Sequence, residues 1–214
     1  MSRVHLGIAT RLPLRDLRLS KRNLIYRTGR GRYLFKDKWL AADRTLWAEH
    51  RRRCLLNYDL SMSYFRSLPQ EEFDAALEGV LARFPQMAPV DDLCALDGVH
   101  GAYLTVFDRH RQLYVGKAEG KHGMKHRILR HWRNAAPFDR LLSGEPEESI
   151  LPIDAFRMLD TTRIFACADE DPGALEEALV EAIPVRFSLN RTKGGTLAGG
   201  LHEAIANRRT RSLI

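Results

Sequence analysis

Two short runs with a polar break between them constrain this chain more than anything else in it. Gly101 to Phe107 and Gln112 to Lys117 are made largely of apolar and β-branched residues, and Asp108-Arg109-His110-Arg111 separates them. The pattern predicts an antiparallel hairpin. Folding about the Asp108–Arg109 bond puts Tyr103 opposite Tyr114, whereas a four-residue loop puts Tyr103 opposite Gly116. Both registers leave the two tyrosines on one face. A helix is predicted next, from about Gly123 to Asn134, with Arg127 and His131 four apart and so on one stripe. Two phenols, Lys117, a guanidinium and an imidazole are therefore expected to converge on one surface, an unusual grouping for a core.

Elsewhere the elements follow from periodicity and punctuation. Ala42 to Asn57 reads as a helix, and Arg51-Arg52-Arg53 as its solvated end. Pro69 to Phe84 is a clearer one: acids Glu71, Glu72 and Asp74 sit in its first turns, and Phe73, Leu77, Val80, Leu81 and Phe84 form an apolar stripe that Pro85 stops. Ala88 to Gly98 is expected to be a loop and a boundary. Pro137 to Gly144 suits one helical turn. Ile153 to Leu159 and Arg163 to Cys167 suit strands joined at Asp160-Thr161. Asp171 is a good N-cap, Pro172 suits the first helical position, and Pro184 ends the helix near Ile183. The expected class is α/β (α+β), with helices packed on a small sheet. Three segments are expected: a basic, largely helical extension over 1–97, a central domain over 98–192 and a basic tail over 193–214.

The ordered residues of the middle segment resemble the GIY-YIG nuclease family. Its first triplet is matched by Gly101-Ala102-Tyr103 and its second by Tyr114-Val115-Gly116, with Lys117 following. Arg127 and His131 match the helical arginine and histidine, Glu176 the glutamate that opens a later helix, and Asn190 a downstream asparagine. The resemblance covers about Val99 to Arg191. Three features depart from the family: Ala102 stands where isoleucine is preferred, the segment from Lys117 to Arg127 is long, and Asn190 lies far beyond Glu176. The resemblance implies a central three-stranded antiparallel sheet flanked by helices, and a divalent-metal-dependent endonuclease hydrolysing phosphodiester bonds in DNA. Restriction, mobile-element and repair roles all fit it. It implies magnesium or manganese as cofactor and Tyr103, Tyr114, Lys117, Arg127, His131, Glu176 and Asn190 as the catalytic set.

Residue chemistry gives each member a task. Glu176 shares a stripe with Leu179, Val180 and Ile183. A carboxylate on an inward face is costly unless paired, and magnesium suits a lone carboxylate completed by water and phosphate oxygens. Taken alone, a first-turn glutamate is usually a surface residue, and Glu177 ranks below Glu176 as a ligand. Arg127 suits bidentate contact with a phosphate, and His131 suits proton relay near neutral pH. Tyr114 is the first choice of general base, although a phenol with a pKa of about 10 needs a nearby ammonium such as Lys117 and a cation to ionise. The sequence leaves open which tyrosine holds which role. Asn190 would hold the loop of the site or touch a phosphate. His122 and His126 have no acid at ligand spacing and stay unassigned.

Charge supports a polyanionic partner. The chain of 214 residues has a formal net charge of +7. Met1 to Arg53 holds 15 Lys/Arg against 4 Asp/Glu, whereas Cys54 to Val99 holds 2 against 8. Arg27, Arg30 and Arg32 form a basic turn among Tyr26, Tyr33, Phe35 and Trp39, a composition that suits phosphates and stacked bases. Lys121, Lys125, Arg130 and Arg133 add a second basic group. DNA is the expected partner. A non-catalytic nucleic-acid-binding protein and an RNA nuclease are the alternatives, since no base-reading motif separates DNA from RNA. A homodimer is the simplest route to cutting both strands. No run of 18 or more apolar residues occurs, so no membrane span is expected. Three scattered cysteines argue against a disulfide framework, and a cytoplasmic location is expected.

Overall fold

The structure of the protein, a computed structural model, describes residues 3–10, 44–133, 156 and 160–190. The chain starts with a hairpin of β1 (Arg3–His5) and β2 (Ile8–Thr10). Leu6 and Gly7 turn it, both with positive φ, at 46° and 75°. That backbone matches the twist of a two-residue hairpin. The Leu6 carbonyl accepts a 3.0 Å hydrogen bond from the Leu93 amide, which fastens the hairpin to the body of the protein.

Helix α1 spans Arg44–Ser67, ten residues beyond its expected end at Asn57. The extension is rich in serine and aromatic residues, which are weak helix formers. Burial decides the matter instead: Met62, Tyr64, Phe65 and Leu68 all enter the core. Arg51, Arg52 and Arg53 therefore lie within the helix, not at its solvated end, and Arg52 bonds Glu49 at 2.8 and 2.7 Å. Helix α2 (Gln70–Arg83) follows the expected pattern. Pro69 is its N-cap, and Phe73, Leu77 and Val80 are buried.

The segment expected as a loop from Ala88 to Gly98 holds two short elements. Strand β3 (Ala88–Pro89) pairs antiparallel with a later strand, and a 3-10 turn covers Leu93–Leu96, capped by the Asp92 carboxylate. Then come β4 (Gly101–Phe107), a 3-10 turn over Asp108–His110, and β5 (Gln112–Ala118). Arg111 closes the turn in the left-handed region, at φ 50°. The register is that of the four-residue connection, with Tyr103 opposite Gly116 and Thr105 opposite Tyr114. Helix α3 (Gly123–Arg133), β6 (Arg163–Ala168) and α4 (Pro172–Ala182) complete the order. Asp171 caps α4 by accepting from the Ala174 amide at 3.0 Å.

The main sheet has four antiparallel strands in the order β3-β6-β4-β5, not the three that the resemblance implies. Pro89 lacks an amide proton and so sits in a two-residue strand at one edge, where its missing donor is harmless. Strand β5 is the opposite edge. One face of the sheet, with Ala102, Leu104, Val106, Leu113 and Val115, packs against Phe73 and Leu77 of α2 and Leu179 of α4. The other, with Tyr103, Ile164 and Ala166, packs against Met124, Ile128, Leu129 and Trp132 of α3, with Leu6 and Ile8 at its margin. The helices before residue 97 thus share a core with the sheet after it. The class is α+β. Among the described residues no helix is long and apolar enough to cross a membrane.

The helical turn expected at 137–144, the tail from 193 and the basic turn at Arg27, Arg30 and Arg32 lie outside the described residues. So does the strand expected at 153–159, except for Phe156, which is buried with its ring 5.2 Å from that of Phe107.

Candidate active site

The site forms where the free part of the β5 edge begins. The segment after α4 covers the earlier part: the Leu189 amide donates to the Leu113 carbonyl at 2.8 Å. Asn190 continues the pairing with its side chain. Its Oδ1 accepts from the Val115 amide and its Nδ2 donates to the Val115 carbonyl, both at 2.7 Å. One carboxamide thereby takes the place of a paired peptide. In this position the Asn190 side chain fixes β5 between Tyr114 and Gly116. From Gly116 to Ala118 the edge has no partner strand among the described residues.

Gly116 shapes what happens next. A Cβ at this position would collide with the ring and hydroxyl of Tyr103. With hydrogen there instead, the Tyr103 ring lies flat across β5 and brings its hydroxyl toward the edge. Tyr103 is 1% exposed, and its hydroxyl has no hydrogen-bond partner in ordinary bonding geometry among the described residues. Burial pushes its pKa well above the ordinary phenol value; Tyr114 and Glu176 push the same way, and Arg127 opposes them. Tyr103 is thus held as a neutral phenol. Its ring centroid lies 6.5 Å from that of Tyr114, whose ring meets His131 edge-on at 5.5 Å. A cleft runs here, lined by Tyr103, Thr105 and Tyr114 from the sheet and by His131 and Trp132 from α3.

The expectation that the whole set shares one surface needs correction. Strand alternation puts Lys117 on the face opposite Gly116 and Tyr114, the face that carries α4. There its Nζ lies 2.7 Å from Glu119 and 3.8 Å from Glu176. Two groups approach the β5 edge from opposite sides: Tyr103, Tyr114, Arg127 and His131 from the α3 side, and Lys117 and Glu176 from the α4 side. They are close enough to interact around the edge. Burial raises the pKa of Glu176, Lys117 lowers it, Glu119 raises it and Arg127 lowers it. Glu119 goes unannounced in the sequence. Only Ala118 separates it from Lys117, a strand spacing that would put both side chains on one side, but Glu119 lies just past the end of β5.

Lys117 is paired with Glu119 on the face of β5 away from Tyr114. Glu177 is exposed. Lys121 and Arg130 are exposed, whereas Lys125 is tied to Asp97 at 2.8 Å; Arg133 is the last residue of α3. The fold also supplies the acid that spacing did not show near His122 and His126, whose rings lie 4.8 Å apart: both act on the Asp97 carboxylate.

Among the described residues no three His, Cys, Asp or Glu side chains form a ready-made metal cage. The donor set at the edge is one carboxylate, Glu176, 29% exposed and raised in pKa by burial. A carboxylate in that state gains from a cation, and magnesium or manganese fits a single carboxylate when water and phosphate complete the shell. Comparisons with protein-family models, with curated proteins and with solved structures find no match to this chain.

Proposed function

We propose that this chain is a GIY-YIG-type, divalent-metal-dependent endonuclease that hydrolyses phosphodiester bonds in DNA. The observation that carries the reading is the meeting of Tyr103, Arg127 and Glu176 around the open end of β5, which the bare Gly116 makes possible. A buried phenol, a guanidinium and a half-buried carboxylate from three separate elements have little structural reason to meet at a sheet edge. They suit an anionic ester that needs charge relief and proton transfer.

In this reading Arg127 grips the scissile phosphate through two parallel hydrogen bonds, which orient as well as attract it. Tyr103, kept neutral by burial, donates a hydrogen bond to a phosphate oxygen or to the attacking water. Tyr114 then takes the water's proton as its own phenolic proton passes to His131, which lies against its ring. The water oxygen bonds to phosphorus, one ester P–O bond breaks, and a proton reaches the departing oxygen. Glu176 holds the cation, which supplies Lewis-acid relief of the charge on the phosphate. Lys117 contacts the phosphate once freed from Glu119.

The test is a labelled DNA duplex, with cleavage and binding followed separately. Glu176→Gln should retain binding and lose metal-dependent cleavage, because the amide keeps the shape and loses the charge. Wild-type cleavage by this variant would move the cation ligand elsewhere. Binding without cleavage by the unmodified protein would favour a nucleic-acid-binding role, and cleavage of RNA alone would move the substrate class.

A further inference from the structure

We propose that the Lys117 ammonium is the resting occupant of the cation position beside Glu176, parked there by Glu119, and that a divalent cation enters by displacing it. This deepens the nuclease reading and rests on it.

The ammonium sits between two carboxylates, 2.7 Å from Glu119 Oε1 and 3.8 Å from Glu176 Oε2. Asp171 is a third negative group within reach. A Cβ built on Gly173 would stand 3.1 Å from Lys117 Nζ, 3.3 Å from Asp171 Oδ1 and 3.6 Å from Glu119 Oε1. The side-chain-free start of α4 therefore lets one ammonium and two of the carboxylates crowd over it. Three carboxylates face two cationic side chains, Lys117 beside them and Arg127 around the edge, which leaves the group one charge short of neutral. Glu119 and Glu176 repel each other, and the shorter Lys117 contact is with Glu119. Removing the ammonium alone leaves that repulsion unscreened, whereas exchange for a divalent cation relieves it more fully. Lys117 then has a natural destination, since a phosphate gripped by Arg127 brings a new negative charge to the same edge. Cation entry and Lys117 release become one exchange, and substrate binding should favour it by linkage.

The experiment measures Mn2+ binding to the full chain without nucleic acid, by the electron paramagnetic resonance signal of free Mn2+. Lys117→Met keeps the stem and removes the charge. It should bind Mn2+ roughly two- to fivefold more tightly, the scale of one solvent-screened ion pair. Lys117→Gln serves as a second variant, and near-UV circular dichroism checks that each is folded. Glu119→Gln should weaken Mn2+ binding in the wild-type background, because Lys117 then falls wholly to Glu176. The loss should be smaller in the Lys117→Met background, where only the direct attraction of the Glu119 charge is removed. Unchanged or weaker binding in both Lys117 variants would overturn the proposal. So would an equal loss from Glu119→Gln in both backgrounds, which would make Glu119 a direct ligand. Wild-type Mn2+ affinity in Glu176→Gln would instead remove the cation site itself, a failure of the nuclease reading that is visible whatever Lys117 does.

Discussion

Replacing Gly116 with alanine tests how the site is built. The added Cβ would overlap the ring carbons and hydroxyl of Tyr103, and Tyr103 has little room to retreat because it is 1% exposed among Met124, Ile128 and Ala166. The backbone at Gly116 lies in a regular strand, so the cost is one of space, not of dihedral strain. Forcing one methyl into a packed site of this kind costs about 1–3 kcal/mol. In a protein of this size that lowers the melting temperature by about 2–4 °C for each kcal/mol. Urea unfolding of four proteins measures the cause directly: wild type, Gly116→Ala, Tyr103→Leu and the double variant. Leucine lacks the far end of the ring, so Gly116→Ala should cost less than about 0.5 kcal/mol in that background, and the coupling should approach the full single-variant cost. Gly116→Ala should also lose cleavage, because the Tyr103 hydroxyl no longer reaches the edge. An equal cost of Gly116→Ala in both backgrounds would show that the Tyr103 ring does not lie over Gly116, and the site would need rebuilding.

Three further predictions follow from single groups. The folded-state pKa of Glu176 lies above the ordinary value of 4.5, so its neutral form favours the fold below that value and this benefit fades as pH rises through the folded pKa. Glu176→Gln should therefore match wild-type stability in acid and match or exceed it near neutral pH, as urea unfolding across pH would show; a variant that loses stability as pH rises would reverse the sign. Asn190→Ala should cost about 1–3 kcal/mol by stranding the Val115 amide and carbonyl, with faster hydrogen exchange at the Val115 amide as the specific readout. Charge reversal at Arg27, Arg30 and Arg32 should flatten the log–log salt dependence of duplex binding by roughly 0.9 for each phosphate no longer neutralised; an unchanged slope would assign this turn to folding.

Elements that carry their own signal were legible in the sequence. Apolar and β-branched runs with a polar break between them marked β4 and β5, the apolar stripe and Pro69 marked α2, and Asp171 with Pro172 marked the start of α4. The elements that escaped are those made by tertiary contact. The second half of α1 is helical because Met62, Tyr64 and Phe65 are buried, and β3 is a strand only because β6 lies beside it. The same division holds at the site. Spacing puts Arg127 and His131 on one stripe and leaves Tyr103 and Tyr114 on one face in either register. Strand alternation already puts Lys117, three residues from Tyr114, on the opposite face, against the expectation of one shared surface, but spacing could not show that Lys117 pairs with Glu119. Nor could it show that the Asn190 side chain pairs with Val115, since that contact joins residues 75 apart.

The central claim is that the β5 edge cuts a phosphodiester bond with help from a divalent cation. Purified protein incubated with supercoiled plasmid and magnesium tests it most directly, with a chelator lane and an Arg127→Ala lane in parallel. Nicked or linear DNA in the magnesium lane, lost in both others, is the expected result. Intact supercoiled plasmid with magnesium or manganese, under conditions where the protein binds the DNA, would contradict it.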